Sequence, residues 1–155
     1  RILGFSLENS LIMNRWQASL GMTYLGASTT VDESVDDNND YLWSFNLQSA
    51  LSYMFPSINT TLSAQLKYTG RTQIVQSGTD GNVVGQTDDF TWMDASARTN
   101  ITKNLSLTLG ARNIFDIVRV NASDTPTGAH GSGGAPSRLF GNGRSYYLKL
   151  LYNFN

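Results

Sequence analysis

The 155-residue chain predicts an all-β protein: about seven antiparallel transmembrane strands forming part of a β-barrel. Three observations predict it. Apolar and polar residues alternate with period two along successive segments, the mark of strands whose two faces differ. The connections between segments alternate between tight and long. The last segment, Arg144 to Phe154, is about as long as a bilayer core requires and carries aromatics near both ends.

Taken in order, the first segment runs from Ile2 to Met13, with Leu3, Phe5, Leu7, Leu11 and Met13 opposing Gly4, Ser6, Glu8 and Ser10. The second runs from Trp16 to Gly26, setting Trp16, Ala18, Leu20, Met22 and Tyr24 against Gln17, Ser19, Gly21 and Thr23. The third, Tyr41 to Met54, sets Trp43, Phe45, Leu47, Leu51 and Tyr53 against Ser44, Asn46, Gln48 and Ser52. The fourth, Thr60 to Thr72, sets Leu62, Ala64, Leu66 and Tyr68 against Ser63, Gln65 and Lys67. The fifth, Thr91 to Ile101, opposes Met93, Ala95 and Ala97 to Asp94, Ser96 and Arg98. The sixth, Leu105 to Asn113, opposes Leu105, Leu107, Leu109 and Ala111 to Ser106, Thr108, Gly110 and Arg112. In the last, Tyr146, Leu148, Leu150, Tyr152 and Phe154 share one side, and Ser145, Tyr147, Lys149, Leu151 and Asn153 the other.

Asn14-Arg15, Pro56 to Asn59 and Thr102 to Asn104 are tight connections, whereas 27–40, 73–90 and 114–143 are long and rich in Gly, Asp, Ser and Thr. Short periplasmic turns and long extracellular loops are the layout of bacterial outer-membrane barrels. With a periplasmic C-terminus, every short turn falls on the periplasmic side and every long loop outside. Trp16, Tyr53, Tyr152 and Phe154 then lie near the inner interface. Phe5, Tyr24, Tyr41, Trp43, Tyr68 and Tyr146 lie toward the outer one, giving two aromatic girdles. A soluble β-sandwich also has about seven strands, but its strands need only ~5–6 residues.

Composition agrees. Charged residues are 15% of the chain, below the roughly 25% of soluble domains. Net charge is −1, which implies no nucleic-acid partner. The absence of cysteine excludes disulfides and thiolate metal sites. No run approaches the ~18 apolar residues of a membrane helix. The mean hydropathy of −0.25 is what alternating strands average to. Seven strands is an odd number, and single-chain bacterial barrels have an even one. The expectation is therefore that residues 1–155 are the C-terminal fragment of one barrel domain whose earlier strands lie elsewhere, the chain starting at Arg1 within an extracellular loop.

No catalytic constellation is present, and no enzyme is expected. The charged polar-face residues Glu8, Lys67, Asp94, Arg98, Arg112 and Lys149 are expected to face the lumen. A basic residue facing lipid at the midplane would cost ~2–4 kcal/mol. In the lumen they meet water, substrate or a plug. Asp94 and Arg112 are expected to pair across strands, because the turn at 102–104 sets Ala95 opposite Ala111. Asp32, Glu33, Asp36, Asp37 and Asp40 are a candidate calcium site, since hard oxygen ligands at this density suit Ca²⁺. They lack the glycine and terminal glutamate of an EF-hand loop, and a solvated acidic loop is the commoner outcome. His130, alone in a Gly-rich loop, is a candidate ligand-contacting residue.

Asn104-Leu-Ser-Leu-Thr-Leu-Gly-Ala-Arg-Asn-Ile-Phe-Asp116 resembles the segment before the final loop of TonB-dependent receptors. Gly143-Arg-Ser-Tyr-Tyr-Leu-Lys-Leu-Leu-Tyr-Asn-Phe154 is similar to their last strand, and Trp92-Met-Asp-Ala-Ser-Ala-Arg98 to the strand before both. The resemblance covers about the last 65 residues; Asn155 departs from the usual aromatic end. It implies the last third of a 22-stranded outer-membrane barrel whose N-terminal plug and TonB-contacting box are not in this sequence. It further implies uptake of a scarce nutrient: a siderophore, haem, cobalamin, glycan or peptide. The implied partners are membrane lipid, the remaining strands and plug, TonB and a surface lipoprotein. Some receptors of this family use loop histidines for haem, which is the role His130 would then have. The alternatives are a barrel with a structural or assembly role and an ungated porin.

Overall fold

The computed structural model describes residues 2–28, 41–78, 81–124 and 137–154. The chain is all-β. Its strands are β1 (Ile2–Met13), β2 (Trp16–Ser28), β3 (Tyr41–Phe55), β4 (Thr60–Thr69), β5 (Thr72–Gly78), β6 (Gly81–Thr87), β7 (Phe90–Asn100), β8 (Leu105–Arg112), β9 (Arg119–Asp124), β10 (Ser137–Leu139) and β11 (Ser145–Tyr152). Seven of them form one antiparallel sheet in the order β1-β2-β3-β4-β7-β8-β11, each next to its neighbour in the expected series of segments. The sheet is open, with β1 and β11 at its edges.

Register explains why this pairing is the stable one. Rungs alternate between a mainly apolar and a mainly polar face across the sheet, and a slip of one residue would turn every side chain over. One rung runs Met13, Trp16, Tyr53, Leu62, Ala97, Leu109, Leu148. The rung beside it runs Ile12, Gln17, Ser52, Ser63, Ser96, Gly110, Tyr147 on the opposite face. The second face is not uniformly polar: Ile12, Met54 and Leu151 lie on it near the tight turns.

The turns are fixed by local chemistry. Asn14 and Asn59 take left-handed φ values of 47° and 48°, a conformation asparagine tolerates better than most side chains. Pro56–Ile58 forms a single 3-10 turn, with proline's fixed φ at its start. In the third turn, Thr102 Oγ1 accepts hydrogen bonds from Leu105 N at 3.0 Å and Asn104 N at 3.3 Å. At this end the apolar face carries Thr60 and Thr99, whose hydroxyls satisfy each other at 2.9 Å.

Two long connections are more regular than expected. The 73–90 segment contains the β5–β6 hairpin, and 114–143 contributes β9 and β10; together they make a second sheet in the order β10-β9-β6-β5. Val120 and Ala122 of β9 are the buried hydrophobic residues among those described. The seven-stranded sheet has no such core: Leu7, Leu20, Phe45 and Leu150 are all exposed, and Leu66 and Leu107 are half-buried.

The upper end of β4 tests the register. A Cβ at Gly70 would lie 2.5 Å from the Phe45 carbonyl oxygen, whereas at Gly21 the nearest atom is 3.9 Å away. Gly70→Ala should therefore lose ~1–3 kcal/mol by overpacking, and Gly21→Ala should gain up to ~1 kcal/mol from reduced chain entropy. Urea midpoints of the two variants folded in detergent micelles check this.

Candidate functional site

Glu8, Lys67, Asp94, Arg98, Arg112 and Lys149 all fall on the polar face of the seven-stranded sheet, as alternation required. They do not form one cluster. Glu8, Lys67 and Asp94 line a groove of about 880 Å³ together with Gln48, Gln65 and Trp92. Glu8, Gly21, Gln48, Lys67 and Trp92 make one rung of it; Ser10, Ser19, Ala50, Gln65 and Asp94 make the next polar rung. The floor is low because Gly21, Ser19, Ser10 and Ala50 carry almost no side chain. Arg98 lies outside this groove, its Nη2 3.4 Å from Ser106 Oγ. Lys149 is on the same rung as Arg98, across Thr108.

The expected pairing of Asp94 with Arg112 does not form. The ladder holds the anticipated register from Asn100↔Ser106 up to Ala95↔Ala111. Above that the chain takes in one extra residue: Ile114 N, not that of Asn113, donates to Met93 O at 2.8 Å, and Asn113 sits at φ 54°. This is a bulge, and it re-aims both charges. Asp94 Oδ1 accepts from Asn113 N at 2.8 Å and from Trp92 Nε1 at 2.7 Å. The Arg112 guanidinium instead lies 5.1 Å from the centroid of the Tyr147 ring, a cation–π distance. Tyr147 in turn covers Gly110, where the lack of a side chain leaves room for its ring.

Asn113 is 1% exposed and is the polar centre of this corner. Its Oδ1 accepts from Ile117 N at 2.9 Å and its Nδ2 donates to Ile117 O at 3.0 Å. Asp116 N donates back to Asn113 O at 2.8 Å, and Asp116 Oδ1 accepts from Arg144 N at 2.7 Å. The Asn-Ile-Phe-Asp run thus closes a turn that ties the top of β8 to the start of β11. Above the groove stands an aromatic wall. Phe140 lies 4.3 Å from Phe90 and 6.4 Å from Trp92 between ring centroids. Trp92 is the site residue that alternation alone did not single out. Its signal was its position two residues from Asp94 on the same face.

The opposite face carries a larger depression of about 1030 Å³, floored by Ala64, Ala95, Ala97 and Ala111 between Tyr53 and Tyr146. Its lining is mainly apolar. The acidic residues Asp32, Glu33, Asp36, Asp37 and Asp40, and His130, lie outside the described residues. Among the described residues no group of three or more His, Cys, Asp or Glu side chains is placed to hold a metal ion.

Replacing Asn113 by alanine removes two side-chain hydrogen bonds at ~1 kcal/mol each and leaves a strained left-handed residue. Asn113→Ala should lose ~2–4 kcal/mol, and Asn113→Gly ~1 kcal/mol less because glycine accepts the backbone. Denaturation midpoints, and the rate of tryptic cleavage at the exposed Arg119, report the two effects.

Compared with protein-family models, with curated proteins and with solved structures, the chain gives no match.

Proposed function

We propose that this chain is the C-terminal wall of a bacterial outer-membrane β-barrel, and that the barrel is a TonB-dependent transporter of a scarce nutrient. The observation that carries the first step is the uncovered apolar face. Exposed Leu, Phe, Tyr and Trp side chains lie on six of the seven strands, all but β7, and Tyr146 is 75% exposed. Burying a large apolar side chain contributes ~1.5–3 kcal/mol. The five exposed residues of the rung from Met13 to Leu148, each about half uncovered, therefore forgo on the order of 5 kcal/mol in water, a sizeable part of the whole stability of an ordinary domain, ~5–15 kcal/mol. Lipid supplies a cover that needs no further protein.

The aromatics support the same placement. Trp16–Tyr53 at 4.3 Å, Tyr53–Phe55 at 4.5 Å and Tyr152–Phe154 at 4.7 Å stand beside the tight turns. Tyr24–Trp43 at 4.8 Å, with Phe5 and Phe45 on the Tyr24 rung, stands at the other end. Rings at both ends of an apolar band are the girdles of a lipid-facing surface. No helix of the described residues is long and apolar enough to cross a membrane. The polar face then lines the lumen, and the sheet of β5, β6, β9 and β10 stands on the extracellular side.

The TonB-dependent step rests on the resemblance of the last 65 or so residues, and the turn from Asn113 to Asp116 gives that motif a physical role. The chain's own residues would line the lumen, meet plug and substrate with Glu8, Lys67 and Asp94, and carry the extracellular sheet. Energy would enter through TonB pulling on the plug.

Three results test this. Leu148→Arg should weaken the barrel by ~2–4 kcal/mol, while Ser96→Arg, on the other face, should be tolerated; heat-modifiable mobility of the protein in outer-membrane extracts separates them. Single cysteines replacing Asp88 and Asn142 should react with an impermeant maleimide on intact cells, and those replacing Asn14 and Lys103 should not. Reversed labelling sinks the topology. Failure of the full-length protein to cross-link to TonB under an intact proton gradient sinks the transport assignment while leaving the barrel.

A further inference from the structure

We propose that the groove on the polar face is a binding site for a short zwitterion of peptide chemistry, with its amino group at Glu8, its carboxylate at Lys67 and its last side chain against Trp92. The inference rests on the lumenal placement of this face proposed above.

The two charges are held apart and left unmatched. Glu8 and Lys67 lie on one rung with Gly21 and Gln48 between them. At a strand spacing of about 4.8 Å, their backbones are ~14 Å apart, and the two side chains form no ion pair with each other. Neither side chain has a hydrogen-bond or ion-pair partner among the described residues. Gly21 keeps the space between them open. A Cβ there would be in contact range of Glu8 Cγ and Gln48 Cβ, 3.9 and 4.0 Å away, and without it the Glu8 stem borders a vacant floor. The other nearby carboxylate is already committed, because Asp94 Oδ1 holds two N–H donors.

The lining between the charges dictates what would bridge them. Gln48 and Gln65 line the floor, and each amide can both donate and accept, which matches the alternating N–H and C=O of a peptide backbone. Three extended residues span ~10 Å at ~3.3 Å each, which fits between two charged side chains whose backbones are ~14 Å apart. Trp92 is next to Lys67 on the rung. Its indole N–H is fixed by Asp94 and its ring is braced by Phe140. A ring held this way loses little freedom when a ligand packs on it, and it stands where the side chain beside the bound carboxylate would fall.

The probe is the tripeptide alanyl-alanyl-phenylalanine, titrated by calorimetry into the full-length protein purified in detergent. The free peptide should bind saturably. N-acetylation, C-amidation, Glu8→Gln and Lys67→Met should each weaken binding roughly tenfold, the worth of about one charge-assisted contact. Gly21→Leu should abolish binding by filling the floor without altering any charge, with unchanged heat-modifiable mobility showing that the fold is intact. The double swap Glu8→Lys with Lys67→Glu should bind more tightly than either single reversal, because a zwitterion can turn end for end, but less tightly than the unaltered protein, because the Phe side chain then leaves Trp92. Equal binding of blocked and free peptides, indifference to the Glu8 and Lys67 variants, or no saturable binding up to millimolar peptide would overturn the proposal. TonB cross-linking is read in a separate experiment, so loss of one assignment does not remove the other.

Discussion

The structure depends on one constraint, the hydrogen-bonded register of seven neighbouring strands. Side chains alternate along each strand with a period of two. Because every ladder is in phase, that local alternation adds up to two chemically distinct surfaces spanning the whole sheet. A slip between any two strands would bring half the apolar band to the polar side. The turns guard against this. Asn14, Asn59 and Thr102 each fix a connection whose length sets the phase of the next strand.

The phase is broken at one place, and the break is where the sheet meets the structure above it. The extra residue at Asn113 ends the β7–β8 ladder and turns the backbone so that its own side chain can hold Ile117 from both sides. Asp94 binds the bulged N–H and the Trp92 indole with the same oxygen. One carboxylate thereby joins the bulge to a wall of the groove. The neighbouring Asp116 fastens the approach to β11. Changes in the segment 140–144 are therefore placed to reach the groove through Phe140 and Trp92.

The seven long strands are legible in the sequence because each needs only its own alternation to be recognised, and Thr99↔Leu107 and Ala97↔Leu109 follow from a single turn length. The ends of the strands are less so. The fourth segment reads as extending to Thr72, but the ladder stops at Thr69, where Gly70 packs against the Phe45 backbone and Thr72 opens a different hairpin. Strands β5, β6, β9 and β10 are hidden because their segments read as loop, and the β6–β9 pairing that joins them is between segments far apart in the chain. Parity alone puts the six charged residues on one face of the sheet, where the register has them. Their partners are not, since a bulge changes phase without changing composition, and Asp94 meets Asn113 where simple counting puts Arg112.

The stagger of the tight turns has a geometric consequence. The rung through Met13 and Trp16 meets the first turn directly. On that same rung Tyr53 and Leu62 stand two residues short of the ends of their strands at Phe55 and Thr60, and Ala97 and Leu109 stand four residues short of Ile101 and Leu105, the pair that closes the third turn. Each hairpin thus lies two residues lower than the one before, or one residue per strand. A shift of ~3.3 Å along the chain for every ~4.8 Å across it inclines the strands by about 35° to the normal of the line of turns. Closed barrels need a shear of this size, with strands tilted by ~35–45°. The lower aromatics descend on the same slope, from Trp16 and Tyr53 through Phe55 to Tyr152 and Phe154. A level membrane interface would therefore meet all of them only if the strands cross it obliquely.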